Sequence, residues 1–300
     1  MEERYIDIRT VADLHRFYRC GMPKHPLITI IDYANISDDR YEENLLCRSE
    51  LYVITCKVIE GSVKYGQSYY DFGEGTLMFA APQQVLSATQ ETKIKEGWGL
   101  FFHPDILYSS ELGKKIHGYS FFNYSVNEAL HISEEEKNIL HDCLDKIKKE
   151  YKQNLDKHTH GLILDNLGLL LNYCNRFYDR QFFTREKVSN ELVQKFETLL
   201  NDYFSNDNLV ERGLPNVKYF ASKMCLSSNY LSDLLNKFTG KTTQEHIHLQ
   251  LIDRAKTLLW GTDQNISEIA YNLGFEHPSH FTKLFKSKVG ISPKEFRVIN

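Results

Sequence analysis

No apolar run in this sequence approaches the roughly 20 residues a bilayer-spanning helix needs. The longest are about eight residues, and mean hydropathy is -0.43, so a membrane-spanning helix is excluded. Residues Met1 to Thr10 contain no basic segment leading into an apolar one, so no secretory signal is expected and the chain is read as cytoplasmic. Cysteine is sparse: Cys20, Cys47, Cys56, Cys143, Cys174 and Cys225 are scattered and form no C-x-x-C pair, which argues against a disulfide framework. They read as small buried hydrophobes of a reducing compartment. Histidine is missing altogether between Leu27 and His103, and the pair His158-Thr-His160 sits at a helix start, where i, i+2 spacing puts the rings on different faces. Neither a Gly-rich phosphate loop nor a Gly-x-Ser-x-Gly elbow is present. The expectation is no catalytic residue, no metal and no cofactor.

What is present is enough chain for two cores: 300 residues, 42% hydrophobic and 25% charged. The net charge of -4 is unevenly divided. From Phe183 onward there are 15 Lys+Arg against 13 Asp+Glu, leaving 21 against 27 before it. The two halves are built for different partners.

Between Leu27 and Asp105, short β-branched and aromatic runs (Leu27-Ile-Thr-Ile-Ile, Leu51 to Ile59, Gly75 to Ala80, Trp98 to Phe102) alternate with Gly, Asp and Ser clusters, the pattern of a sandwich or barrel. Beyond about Ser125 the period changes. Ser133-Glu-Glu-Glu136 is a capping box, and Leu140, Leu144, Ile147 and Tyr151 follow on one helical face. A second helix, from about Asp156 to Phe183, carries Ile163, Leu167, Leu170, Cys174 and Phe177 at the 4, 3, 4, 3 spacing of a coiled-coil seam. These five are the candidate dimerisation residues. The competing reading packs the stripe on its own sheet, and Leu162, Leu164, Leu169, Leu171 and Tyr173 make the helix apolar enough for both. Thr184 to Asn190 is read as a polar linker, which divides the chain into 1–125, 126–184 and 185–300.

The C-terminal part contains an internal repeat. Val217-Lys-Tyr-Phe-Ala-Ser-Lys-Met-Cys-Leu226 aligns with Ile266-Ser-Glu-Ile-Ala-Tyr-Asn-Leu-Gly-Phe275 at an offset of 49; after one extra turn residue, Leu231, Leu234, Leu235 and Gly240 align with Phe281, Leu284, Phe285 and Gly290 at 50. Each unit reads as a helix-turn-helix, with an alanine (Ala221, Ala270) where two helices must approach closely and small or proline residues opening the second helix. Between them, Thr242 to Leu259 is long enough, at roughly 27 Å, to hold two reading helices about one DNA turn apart, roughly 34 Å.

These residues, with Phe281-Thr-Lys-Leu-Phe-Lys286 and Gly290-Ile-Ser-Pro-Lys-Glu-Phe-Arg297, resemble the DNA-binding domain of the AraC/XylS family of bacterial transcription regulators, over about the last third of the chain. The resemblance implies an α+β chain in two parts. An N-terminal cupin-like β jelly roll, suggested also by Gly75-Thr-Leu-Met-Phe-Ala-Ala-Pro82, would precede the dimerisation helices and an all-α domain of two helix-turn-helix units joined by a linker helix. It implies a cytoplasmic, dimeric transcription activator or repressor that binds double-stranded promoter DNA, meets RNA polymerase and senses a small-molecule effector such as a sugar.

The candidate DNA-contacting residues are Ser228, Asn229, Asp233 and Lys237 in the first unit and Pro278, Ser279, Lys283 and Lys286 in the second. From His277 to Arg297 five bases face one acid, a local +4. Asp233 stands where the family commonly carries a base, and is suited to accept from a cytosine amino group. The candidate effector residues are Arg48, Tyr52, Tyr65, Trp98 and His103, an aromatic and hydrogen-bonding set that also suits a plain core. Two alternatives stay open: a constitutive DNA-binding protein whose front part only dimerises, and a cupin-type enzyme, against which the missing histidines count.

Overall fold

In a computed structural model of the chain, described over residues 4–36, 45–60, 63–65, 68–70, 75–88, 93–125, 128–154, 156–205 and 209–299, the alternating runs of the first half form ten strands among the described residues. These are β1 (Arg4–Ile8), β2 (Ile28–Asp32), β3 (Leu45–Ser49), β4 (Tyr52–Glu60), β5 (Val63–Tyr65), β6 (Ser68–Tyr70), β7 (Thr76–Ala80), β8 (Val85–Ala88), β9 (Lys93–Phe102) and β10 (Leu130–His131). A five-stranded antiparallel sheet runs β10-β7-β4-β9-β2, a three-stranded sheet runs β1-β3-β8 with β1 parallel to β3, and β5 pairs with β6. The chain is therefore mixed α+β, with every described strand before residue 132 and only helices after it.

Register decides what each sheet face buries, because side chains alternate with period two. Tyr52 pairs with Phe102, Ile54 with Leu100 and Cys56 with Trp98, which places all six on one face of the large sheet. Val53 and Phe101 pair on the opposite face. There, with Ile31 and Ala80, they pack on Ile8, Leu51 and the apolar side of α1 (Val11–Tyr18), where Val11 and Leu14 are buried.

The first face is covered by helices. The box at Ser133 forms as read, with Ser133 N–H donating to Glu136 Oε2 at 2.9 Å, and it starts α3 (Glu134–Lys152). Beside α3 lies α4 (Thr159–Thr184), whose C-terminal end is pinned to β10. Arg180 Nε and Nη2 donate to the two Glu136 carboxylate oxygens at 2.9 and 2.7 Å, and Nη2 also donates to the His131 carbonyl at 2.7 Å. Gln181 accepts from His131 N–H at 2.8 Å. At the other end His160 bonds the Ile106 carbonyl at 2.9 Å and so tethers the helix start.

Two expectations change here. Ile163, Leu167, Leu170, Cys174 and Phe177 are all at most 4% exposed within this single chain, so the stripe is consumed by its own core and does not face a partner. Burial pushes the Cys174 thiol far above its ordinary range, the mark of a solvent-free core position. The segment read as a polar linker is almost wholly helical: α4 runs to Thr184, Arg185 alone breaks it, and α5 (Glu186–Ser205) begins at once, with Ser189 buried. Its polarity is that of an exposed helix face.

Two compact units result, Met1–Thr184 and Arg185–Asn300. Because the α4 stripe is core, Leu167→Ala should lower the stability of the front unit by about 2–5 kcal/mol, a lost side chain plus the cavity left behind. Urea unfolding of the variant checks this, since a stripe that served only a partner would leave the midpoint of the isolated chain unmoved.

Candidate nucleic-acid interface

The second unit continues with α6 (Leu209–Arg212), α7 (Val217–Met224), α8 (Ser228–Thr239), α9 (Thr243–Gly261), α10 (Ile266–Asn272), α11 (Pro278–Val289) and α12 (Pro293–Ile299). Each repeat is a short helix, a turn and a longer helix. In the first, the Asn216 side chain accepts from Tyr219 N–H at 2.9 Å and starts α7, while Ser227 accepts from Tyr230 N–H at 3.2 Å and starts α8. In the second, Asn265 and Glu268 make a capping box for α10, and Pro278 at the first helical position opens α11. Ala221 and Ala270 are buried at the crossings, where a larger side chain would hold the helices apart. Leu231, Leu234 and Leu235 of α8 and Phe281 and Phe285 of α11 are buried beneath them.

The turns differ in one informative position. Cys225 takes φ 58° and its counterpart Gly274 takes φ 84°, both left-handed. A Cβ on Gly274 would lie 2.9 Å from the Leu209 carbonyl oxygen and 3.0 Å from the Gly213 carbonyl carbon, so here the backbones touch. The second turn requires glycine for space as well as for φ.

Between the units α9 acts as a strut. Thr242 N–H and its hydroxyl donate to Glu245 at 2.8 and 2.9 Å, which caps the helix and holds the Glu245 carboxyl below the usual carboxylate range. Ile247, Leu251, Ile252, Ala255 and Leu259 are buried along it, and it packs against α8, α10 and α12. Ser232 of α8 donates to Thr243 at 3.1 Å, and Thr239 shares a hydrogen bond of 2.8 Å with His246, whose ring meets Phe196 edge-on. Burial, the largest influence on it, keeps His246 below the ordinary histidine value.

Outward from this frame lie the candidate reading residues. Asn229, Asp233 and Asn236 of α8 recur at i, i+4, i+7, and Ser279, Lys283 and Lys286 occupy the matching row on α11. Ser279, Lys283 and Lys286 are exposed; Ser228, Asn229, Asp233 and Pro278 are half-buried; Lys237 is exposed. Sequence reasoning passed over His277 and His280, exposed rings 5.4 Å apart at the head of α11, although the offset of 50 aligns His280 with Tyr230. Arg297, counted toward a local +4, turns inward instead. Its Nε donates to the Leu259 carbonyl at 3.2 Å and its Nη2 is buried, so it neutralises the C-terminal end of α9 and adds nothing to the α11 surface.

The sequence of residues 220–298 matches the family described as the helix-turn-helix domain. Among curated relatives, the transcriptional regulator YijO of Escherichia coli K12 is 27% identical over 145 residues, covering 48% of this chain and 47% of YijO. The transcriptional activator RhaS of Escherichia fergusonii is 34% identical over 77 residues, 26% of this chain and 28% of RhaS. The second unit carries an AraC-type helix-turn-helix domain. The matched stretches span less than half the length of these relatives. A solved structure similar to the AraC-type domain is the C-terminal domain of the two-component response regulator yesN of Fusobacterium nucleatum, 27% identical over 35% of this chain and 95% of that one, with a TM-score of 0.31.

The four candidate effector residues whose side chains are described are each engaged with other neighbours. Arg48 is engaged by Asp7, its Nε and Nη2 each donating to a carboxylate oxygen at 2.9 Å, and this guanidinium holds the Asp7 carboxyl below its usual range. Tyr52 stacks on Phe102 at 5.0 Å and meets Phe122 edge-on, and burial pushes its phenol up. Trp98 is 5% exposed and meets His141 of α3 in a T-shaped contact at 6.2 Å. His103 accepts from Asp105 N–H at 3.2 Å in the turn after β9. The side chain of Tyr65 lies outside the described residues. Tyr52 and Trp98 are core residues because their register points them under the helices.

Gly274→Ala should destabilise the AraC-type domain by at least about 1–2 kcal/mol from the left-handed backbone alone, with the carbonyl clash added. Cys225→Ala, at an equivalent φ but with a Cβ already in place, should lose far less; thermal melts of the two variants side by side provide the comparison.

Proposed function

We propose that this chain is a sequence-specific DNA-binding transcription regulator whose two helix-turn-helix units enter successive major grooves on one side of the duplex. The observation that carries this reading is the pair of outward rows, Asn229/Asp233/Asn236 and Ser279/Lys283/Lys286, on repeated helices joined by one capped strut of 19 residues. That strut is roughly 28 Å long at 1.5 Å per residue, against roughly 34 Å for a turn of DNA. Ser228, Lys237 and Pro278 flank the rows, and Lys283 and Lys286 supply charge for phosphates. Asp233 is assigned to a cytosine amino group, a contact worth about 1–3 kcal/mol of discrimination.

The front unit is assigned to effector sensing in a cupin-like jelly roll. The site is placed on the sheet face opposite Tyr52 and Trp98, where Thr55 and Thr76 are buried and His15 bonds Thr29 at 2.9 Å. The Thr76 hydroxyl has no partner among the described residues, which suits a polar small molecule such as a sugar. Pairing into a homodimer is assigned to the outer row of α4, where Leu162 and Leu169 are 44% and 41% exposed one heptad apart. RNA polymerase is the partner expected once promoter DNA is bound, in the cytoplasm, with no catalytic step.

Selection of binding sites from random duplexes by the full chain tests the reading. Two short preferred motifs about 10 base pairs apart are expected. Lys283→Ala should weaken binding to every sequence, whereas Asp233→Ala should relax preference at one base pair with affinity for random DNA unchanged or higher. Failure of the chain to bind any duplex at low salt would refute the regulator reading.

A further inference from the structure

The outer face of α7 is an open groove lined by Asn216, Lys218, Tyr219, Ser222 and Lys223. The opposite side of the same helix buries Phe220, Ala221 and Met224, so the face is fixed to the core of its unit. Tyr219 is held edge-on against Tyr203 at 5.0 Å. Lys218 and Lys223 are exposed, and neither is ion-paired among the described residues. Every lining side chain can donate a hydrogen bond and none is a carboxylate.

The repeat gives this patch a meaning that a lone charge pair would lack. At the offset of 49, the second unit places Ser267, Glu268, Tyr271 and Asn272 where the first has Lys218, Tyr219, Ser222 and Lys223. The reading helices carry the reverse imbalance, with Lys283, Lys286 and Lys288 on α11 but one base and one acid, Lys237 and Asp233, on α8. Positive charge therefore sits on the first helix of the first unit and on the second helix of the second. We propose that α7 docks on the sugar-phosphate backbone, with Lys218 and Lys223 each neutralising a phosphate and the Tyr219 and Ser222 hydroxyls donating to the same strand.

This assignment rests on the regulator reading and refines it. The first unit is anchored to DNA through α7, leaving α8 free to carry an acid in the groove, while the second unit is anchored through the helix that reads. DNA is the occupant because all the groove's donors suit phosphate oxygens and because α7 packs directly on α8. Backbone contact of this kind adds affinity without sequence information.

The experiment is a salt titration of duplex binding by the full chain, on a selected site and on a random duplex. Lys218→Ala with Lys223→Ala should reduce the steepness of log K against log salt by about 2, close to one per phosphate released, and should weaken both duplexes by the same factor. The control double variant Lys114→Ala with Lys115→Ala removes the same net charge from an exposed helix of the front unit and should leave the slope alone. Lys218→Arg with Lys223→Arg should keep the wild-type slope, and melting curves establish that all variants fold. An unchanged slope in the alanine pair, or a loss confined to the selected site, overturns the proposal while leaving the regulator reading intact. A wild-type chain that binds no duplex overturns both.

Discussion

The second unit depends on one helix that both repeats must share. Ile247, Leu251, Ile252, Ala255 and Leu259 are buried along α9, which packs against α8 of the first repeat and against α10 and α12. Such a strut cannot tilt toward one unit without opening a gap beside the other, because close-packed interiors pass displacement on rather than absorb it. Its ends are held as well. The Thr242–Glu245 box satisfies the N-terminal amides and Arg297 meets the Leu259 carbonyl at the far end. The spacing of the two reading helices is a consequence of this shared core.

Within that frame the duplicated units have diverged in charge while keeping their packing. Apolar positions correspond almost one for one, Leu231 with Phe281 and Leu235 with Phe285, because both members of each pair are buried in the core of their unit. Outward positions have drifted: Asp233 stands opposite Lys283 in the alignment, and Lys218 opposite Ser267. Even the turn diverged, with Gly274 retained where the Leu209 carbonyl presses on the backbone and Cys225, which already carries a Cβ, at the corresponding left-handed position.

The front unit obeys a different constraint, the alternation of its large sheet. One residue of register separates Tyr52, stacked on Phe102 beneath the helices, from Val53, packed on β1 and α1. Arg180 and Gln181 then lock α4 to the strand β10, so the helical layer and the sheet are parts of one core. Cys56, Cys143 and Cys174 are buried there, and burial pushes the Cys56 thiol up to about 11, which leaves these groups inert.

The sequence alone determined the features that depend on local spacing. The repeat at 49 and 50, the capping boxes at Ser133 and Thr242, the buried alanines and the inward Leu and Phe pairs are local because a helix interior reads its own neighbours three and four residues away. Tertiary structure alone decided which apolar face meets which. A 4, 3, 4, 3 stripe on α4 satisfies a partner helix and a domestic sheet equally well as a pattern, and only the position of the sheet buried it at home. Likewise Arg48, Trp98 and Arg297 look available in sequence, and are taken by Asp7, by the helical layer and by the Leu259 carbonyl, groups between about 38 and 43 residues away that no local period brings near.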